Sequence, residues 1–176
     1  VYYGTVNGTI GAIDATTGDP RWDLELDSGM TTWGLTAAEG SVFASGYTTG
    51  DDRGGALVSV DVAEESVEWT SALSDWISPV AIGPDAVYGV VNFDSVQAHE
   101  RGTGELLWSA DLQVDGVVSA PALDGGDVCV PTTYGAARLT TEGQRVWTTS
   151  VDGREPSSPI LTDELVVVAY KNTSSR

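Results

Sequence analysis

The residue types that usually carry chemistry are scarce in this chain, and they do not combine into a catalytic set. There is one histidine, His99, and one cysteine, Cys129. His99 occupies a place that apolar residues fill in comparable segments, and Cys129 lies between two valines, so both are interpreted as buried core residues. A single cysteine excludes an internal disulfide and the usual zinc and haem spacings. We therefore assign no catalytic residue and no metal site.

Trp33 and Trp76 are the candidates for contact with a ligand or a partner. Each lies three residues before an equivalent position, Thr36 or Pro79, in successive segments of the chain. Two neighbouring indoles can stack on a flat ligand or grip a side chain of a partner protein. The alternative is that both indoles pack between sheets. The sequence leaves these two interpretations open.

The other four tryptophans recur with a regular spacing. They lie 47, 39 and 39 residues apart, and each closes a segment with the pattern strand, turn, strand. A period near 40 in a strand-rich chain is typical of repeat folds in which each unit buries its faces against its neighbours. Three of the four segments carry a glycine four residues before the tryptophan, and the second segment has Glu65 there. The tryptophans are Trp22, Trp69, Trp108 and Trp147, and the glycines are Gly18, Gly104 and Gly143.

The segments between these tryptophans predict four antiparallel strands per unit. Asn7-Gly8 between two β-rich runs predicts a two-residue type I′ hairpin. Three of the additional strands contain a proline, which belongs at a strand start or on an edge strand because it cannot donate to a ladder. Asp14, Asp61 and Glu100, with Thr140 in the fourth unit, precede the turns and are expected to accept backbone N–H bonds there. Sustained helical periodicity is missing, so almost no helix is expected.

The segment from Ala12 to Trp22 resembles the tryptophan-docking motif of the PQQ-like β-propeller repeat. The third copy matches the same motif through Ala98, Glu100, Thr103, Gly104 and Trp108. The second and fourth copies keep parts of it. The resemblance implies an all-β propeller of four-stranded antiparallel blades. It also implies that each tryptophan packs between adjacent blades near the glycine of the neighbouring motif. Trp33 and Trp76 would then lie on innermost strands, at the mouth of the central channel.

The predicted repeat units divide one propeller region, residues 1–176. Their bounds are about 1–30, 31–74, 75–113 and 114–152, with a partial unit at 153–176. About four blades are therefore expected. Because the chain begins and ends within a unit, we expect it to be part of a larger ring of seven or eight blades.

The resemblance implies three classes of function. The leading hypothesis is a non-catalytic propeller that acts as a scaffold or as a ligand- or protein-binding module, without a cofactor. The alternatives are a quinoprotein dehydrogenase that uses pyrroloquinoline quinone (PQQ) and calcium, and the sensor ectodomain of a membrane kinase. Quinoprotein dehydrogenases stack the quinone between a tryptophan and a disulfide of adjacent cysteines. Trp33 or Trp76 matches the first element, but Cys129 has no neighbouring cysteine.

The charge of the chain limits its partners. Its 176 residues include 26 acidic and 8 basic side chains, a formal net charge of −18, with Lys171 as the one lysine. Dispersed acidic residues and scarce lysine suggest adaptation to high salt, as in a haloarchaeal protein. Nucleic acid is disfavoured because no basic stripe is present to neutralise phosphates. The expected partner is another protein or a small ligand at the channel mouth.

The cellular location of the protein is indicated mainly by its resemblance to this family. No stretch approaches 18 apolar residues, so no transmembrane segment is expected in this chain. Many members of the family are secreted or membrane-anchored, which implies an extracytoplasmic location. Asn172 begins an Asn-Thr-Ser pattern in the C-terminal tail and is the candidate N-glycosylation site.

Overall fold

Short β-rich segments separated by glycine-containing turns form the regular structure of the chain. The computed structural model describes residues 1–26, 29–49, 54–113, 116, 119–151, 156–162 and 165–171, and these contain strands and turns but no helix. The chain divides into two compact units. Unit 1 comprises Val1–Val80 and Gly102–Glu105, and unit 2 comprises Ala81–Arg101 and Leu106–Arg176.

Unit 1 contains two antiparallel sheets whose strands follow each other in chain order. The first sheet has three strands: β1 (Tyr2–Gly4), β2 (Thr9–Ile13) and β3 (Pro20–Glu25). The second sheet has four strands: β4 (Met30–Ala38), β5 (Ser41–Thr48), β6 (Gly54–Asp61) and β7 (Ser66–Leu73).

Unit 2 contains two sheets of the same kind and a final two-stranded sheet. One consists of β8 (Ala81–Ile82), β9 (Ala86–Val91), β10 (Ser95–Glu100) and β11 (Leu106–Asp111). The next consists of β12 (Ala122–Asp124), β13 (Asp127–Thr132), β14 (Gly135–Thr140) and β15 (Arg145–Ser150). The last pair is β16 (Ile160–Leu161) and β17 (Val166–Val167). The predicted all-β architecture of four-stranded antiparallel blades is confirmed.

Each unit has its own apolar core between its sheets. In unit 1 the core includes Ile10 from the first sheet and Val42, Val58 and Val60 from the second, all essentially inaccessible to solvent. The corresponding core of unit 2 includes Val90, Val96, Val128 and Leu139, which are also inaccessible to solvent. Burying a side chain of this size contributes about 1.5–3 kcal/mol, so these cores are the main source of stability. The last strands β3, β7, β11 and β15 are largely exposed.

A β-bulge recurs immediately before each of the four repeating tryptophans. Ala12 pairs with Trp22 but Ile13 pairs with Pro20, so the residue before the tryptophan is left as the extra one. The same irregularity occurs in the other three sheets, opposite Ser59/Val60, Ala98/His99 and Arg138/Leu139. A bulge bends a strand and re-aims its side chains. The spacing of the tryptophans is visible in the sequence, but the bulges are not.

Two local predictions need correction. The Asn7-Gly8 hairpin is not type I′, because only Gly8 has a positive φ (86°). The Gly8 N–H donates to the Thr5 carbonyl at 3.3 Å, and the Thr5 N–H donates to the Thr9 carbonyl at 2.9 Å. This is a type I turn followed by a left-handed glycine, the usual three-residue hairpin. The first strands of the later sheets also do not contain the prolines predicted in them: Pro79 and Pro121 precede β8 and β12, since proline cannot donate to a ladder.

Candidate functional site

A second kind of bulge, in the first strand of the second sheet, presents Trp33. Thr32 pairs with Gly46 and Gly34 pairs with Ser45, which leaves Trp33 as the extra residue of β4. Trp33 is 57% exposed. A Cβ atom on Gly34 would lie 2.6 Å from the Pro79 Cβ, so a side chain here would clash with Pro79. The bulge therefore directs the indole away from the ladder while the next residue passes close to Pro79.

The segment after β7 brings Trp76 to the same place. The fully buried Ile77 anchors this segment, and its N–H donates to the Gly46 carbonyl at 3.3 Å. A Cβ on Gly55 would lie 2.0 Å from the Asp75 carbonyl oxygen, so only glycine allows the segment to lie this close to β6. The Asp75 carboxylate accepts the Trp76 N–H at 2.8 Å. Trp76 is thus held by the backbone on either side of it.

Three aromatic rings meet as a result. The Trp33 and Trp76 ring centroids are 5.2 Å apart with an interplanar angle of 84°, and those of Trp33 and Tyr47 are 6.1 Å apart at the same angle. Such edge-to-face pairs are a favoured aromatic geometry. The structure therefore brings together the two tryptophans singled out in the sequence. Tyr47 was missed, because its proximity to Trp33 follows from the pairing of β4 with β5 and no spacing marks it.

The rings form one wall of a cavity of about 540 Å³ in unit 1. This volume is within the range of pockets that hold small ligands or side chains, roughly 300–1,000 Å³. We call it the aromatic cleft; its lining residues are Trp33, Tyr47, Thr48, Thr49, Gly54, Asp75 and Trp76. Two of its hydroxyls bond to the backbone: the Thr48 Oγ1 accepts the Gly54 N–H at 3.1 Å, and the Thr49 Oγ1 donates to the Gly29 carbonyl at 2.9 Å. Asp75 supplies the carboxylate of the lining.

Two of the recurring tryptophans lie against the glycine of the following motif. Trp69 is 8% exposed, and a Cβ on Gly104 would come within 2.4 Å of its Cε3 atom. A Cβ on Gly143 would come within 2.8 Å of the Trp108 Cδ2 atom. The Trp108 Nε1–H donates to the Thr141 carbonyl at 2.7 Å, which satisfies the one donor of the indole.

The remaining members of the predicted docking set have other surroundings. Trp22 is half-buried beside Tyr2, and the residue in the glycine position of the next motif is Glu65, with a φ of 53°. A Cβ added to Gly18 would meet nothing within 4 Å. Trp147 is half-buried on β15. The docking role of the full set therefore stays a prediction.

The predicted carboxylate–backbone bonds in the turns are confirmed for Asp14 and Asp61. The Asp14 carboxylate accepts the N–H groups of Thr16 at 2.8 Å and Thr17 at 3.1 Å, and Arg21 donates to it at 2.6 Å. The Arg21 hydrogen bond, with the two backbone bonds, lowers the pKa of Asp14 to about 2. The Asp61 carboxylate accepts two N–H bonds of 2.7 Å from the residues of its own turn.

The lone histidine and cysteine are buried, as predicted. His99 is 1% exposed, and its Nε2 lies 3.2 Å from the Gln97 Oε1. Cys129 is 1% exposed, and burial raises the pKa of its thiol. A buried thiol with a raised pKa is a weak nucleophile, because the thiolate is the reactive form.

The described residues of the cleft offer few ligands for a calcium ion. Calcium takes six to eight oxygen ligands, of which carboxylates are the strongest, whereas Asp75 is the one carboxylate in the described lining. Across the described ranges, no three His, Cys, Asp or Glu side chains are grouped to hold a metal ion. Cys129 is single and buried, so it cannot form a disulfide of adjacent cysteines beside an indole.

Two expectations concern the surface and the surroundings of the protein. Asn172, the candidate glycosylation site, lies outside the described residues. Within the described part of the chain there is no helix that is both long and apolar enough to span a membrane.

Comparison with known proteins extends this picture to the family. The family model described as outer membrane protein assembly factor BamB matches residues 6–113 and again residues 92–176. No curated protein matches the chain.

Two solved structures show the same fold. BamB from Moraxella catarrhalis superposes with a TM-score of 0.75 at 22% identity, over 96% of this chain and 51% of that chain. This chain therefore spans about half the length of that protein. The computationally designed Ika4 protein superposes with a TM-score of 0.67 at 14% identity, over 81% of this chain and 86% of that one. The family-model match, which covers residues 6–176 in two overlapping segments, shows that the chain belongs to the PQQ-like β-propeller repeat family.

Proposed function

We propose that this chain is a non-catalytic β-propeller module that binds another protein, with the aromatic cleft as a contact site. The observation that carries the proposal is the cleft itself. Its aromatic side chains are rigid and amphipathic, and Trp33 is more than half exposed instead of being packed into the core. Trp and Tyr are enriched among the residues that dominate binding energy at protein interfaces.

The comparisons support a binding role in general terms. The matching family model carries the description of an outer membrane protein assembly factor, which supports protein binding as the role of this module. An extracytoplasmic location follows from the same relationship and is part of the proposal. Adaptation to high salt, proposed from the net charge of −18, is independent of it.

Peptide-library selection tests the binding role. Immobilised protein should enrich a set of peptides, and the double variant Trp33→Ala/Trp76→Ala should lose at least tenfold in affinity for them. Tyr134→Ala is the matched control, because it removes an exposed aromatic side chain from unit 2, outside the cleft. Equal binding by the double variant would show that the cleft is not the contact site. Failure to enrich any peptide would count against protein binding.

The absence of a cofactor is tested separately. Protein incubated with PQQ and calcium should show no stoichiometric quinone absorbance after gel filtration and no alcohol-dependent reduction of a dye. Retention of one quinone per chain, lost in Trp33→Ala/Trp76→Ala, would favour the quinoprotein alternative instead.

A further inference from the structure

We propose that the aromatic cleft recognises a cationic side chain, that of arginine, on the partner. This inference rests on the proposed function and specifies the chemistry of the same site. Its first basis is the combination of side chains in one cavity. Trp33, Tyr47 and Trp76 provide π faces, and Asp75 provides a negative charge beside them. A cation held over an aromatic face and next to a carboxylate is stabilised by both.

The ring geometry suits a flat cation. The plane of Trp33 is nearly perpendicular to the planes of both Tyr47 and Trp76, so the rings meet as walls at right angles. A guanidinium group is planar, stacks on an aromatic face and carries donors around its edge. It can therefore lie on one ring and direct N–H groups toward a carboxylate. An ammonium group lacks the planar face, so arginine is favoured over lysine.

Asp75 is positioned for this role. Its Oδ1 accepts the backbone N–H of Trp76 at 2.8 Å, which holds the carboxylate next to the Trp76 backbone. Among the described residues, Arg21 pairs with Asp14, and Arg138 pairs with Asp124 and Asp127. Asp75 takes part in none of these pairs, and the described lining of the cleft contains no basic side chain.

The charge of the whole chain points to the same partner. With a formal net charge of −18, the protein attracts basic segments and repels acidic ones at long range. Complementary charge raises the association rate and excludes partners of the wrong sign. An aromatic cleft without this field would accept any apolar side chain, whereas this one selects for positive charge.

The experiment compares two peptides of similar size and shape, of which one is positively charged and the other is neutral. A capped Gly-Gly-Arg-Gly-Gly peptide and its citrulline counterpart are titrated into the full chain, and the indole N–H resonances of Trp33 and Trp76 are followed by NMR. Citrulline keeps the size and planarity of arginine but is neutral. We expect the arginine peptide to bind about tenfold more tightly and to shift both indole resonances. Equal affinities for the two peptides would overturn the proposal.

Three variants separate the contributions. Asp75→Asn should reduce the preference for arginine over citrulline severalfold. Trp33→Leu keeps an apolar side chain but removes the π face, and it should also weaken arginine binding severalfold. Tyr134→Ala should leave binding unchanged. Full retention of the preference in both Asp75→Asn and Trp33→Leu would contradict the proposal, provided that the melting temperatures match that of the wild type.

The experiments distinguish an error in the arginine assignment from an error in the proposed protein-binding function. If selected peptides bind in the cleft without a preference for arginine, protein binding stands and the arginine assignment is wrong. If a capped Gly-Gly-Lys-Gly-Gly peptide or tetramethylammonium, titrated in the same way, binds as tightly as the arginine peptide, the guanidinium assignment is wrong. If no peptide binds at all, the proposed function itself fails.

Discussion

Two groups of aromatic side chains in unit 1 use the same residue type for different purposes. Trp69 recurs with the repeat, is 8% exposed, and packs between Phe43, at a ring distance of 5.9 Å, and the Gly104 turn. Trp33 is not one of the recurring set, is 57% exposed, and is presented by a bulge beside Tyr47 and Trp76. The first group supports the fold, and we propose that the second binds a partner. In this repeat protein, the candidate site is built from tryptophans outside the regularly spaced set of four.

The largest effect is expected when the tryptophan side chains of the two groups are truncated to alanine. Trp69→Ala removes a large buried side chain and should lower the free energy of unfolding by about 3–5 kcal/mol. Trp33→Ala removes a side chain that is already mostly exposed, so its cost should stay below about 1 kcal/mol. Urea denaturation in molar potassium chloride measures both. Similar losses for the two variants would erase the distinction between the groups.

A second test targets the partner of Trp69. Gly104→Ala places a methyl group against the indole at a position with a φ of 75°. The backbone conformation should cost about 1–2 kcal/mol and the overpacking about 1–3 kcal/mol more. Gly18→Ala is the matched control, since its φ is 79° but its Cβ would meet no atom within 4 Å. Only the backbone cost is expected there, so equal losses would show that Trp69 does not depend on Gly104.

Added salt should stabilise the fold but weaken peptide binding in the cleft. Self-repulsion among the carboxylates destabilises the fold when screening is weak, so the melting temperature should climb as potassium chloride rises from 0.1 M to several molar. Binding of the arginine peptide in the cleft should weaken severalfold over the same range. Thermal scans and peptide titrations on one sample series measure both. A flat melting temperature would remove the inference of salt adaptation.

A smaller effect is expected at the turn of the first motif. The pKa of Asp14 is about 2 in the folded chain, below the ordinary value of 3.8, because Arg21 and two backbone N–H groups bind its ionised form. The stabilisation is therefore fully present above pH 3.8 and is lost as the pH falls through 2. An NMR titration of the Asp14 carboxyl carbon should give a midpoint near 2, and Arg21→Gln should move it upward. An unchanged midpoint would assign the shift to the backbone bonds alone.

Much of the fold could be predicted because its signals are local or periodic. The recurring tryptophans, the glycines and the carboxylate at Asp14 lie within one turn and its flanking strands, so their spacing is visible in the chain. The bulges could not be predicted, because a bulge depends on which residues of two strands pair. The Asn7-Gly8 turn was assigned the wrong type for a related reason: the pair suits more than one hairpin, and the pairing of β1 with β2 selects among them.

The sequence by itself determined that this is an all-β repeat protein with a buried histidine and cysteine, because those properties follow from residue type and period. It also singled out Trp33 and Trp76. Only the tertiary structure decided that these indoles meet Tyr47 and Asp75 in one cavity. The physical reason is that Trp33 and Trp76 are far apart along the chain. They come together only because strands pair and because the segment after β7 lies close to glycine backbones. Such an approach depends on packing, which the spacing of residues does not encode.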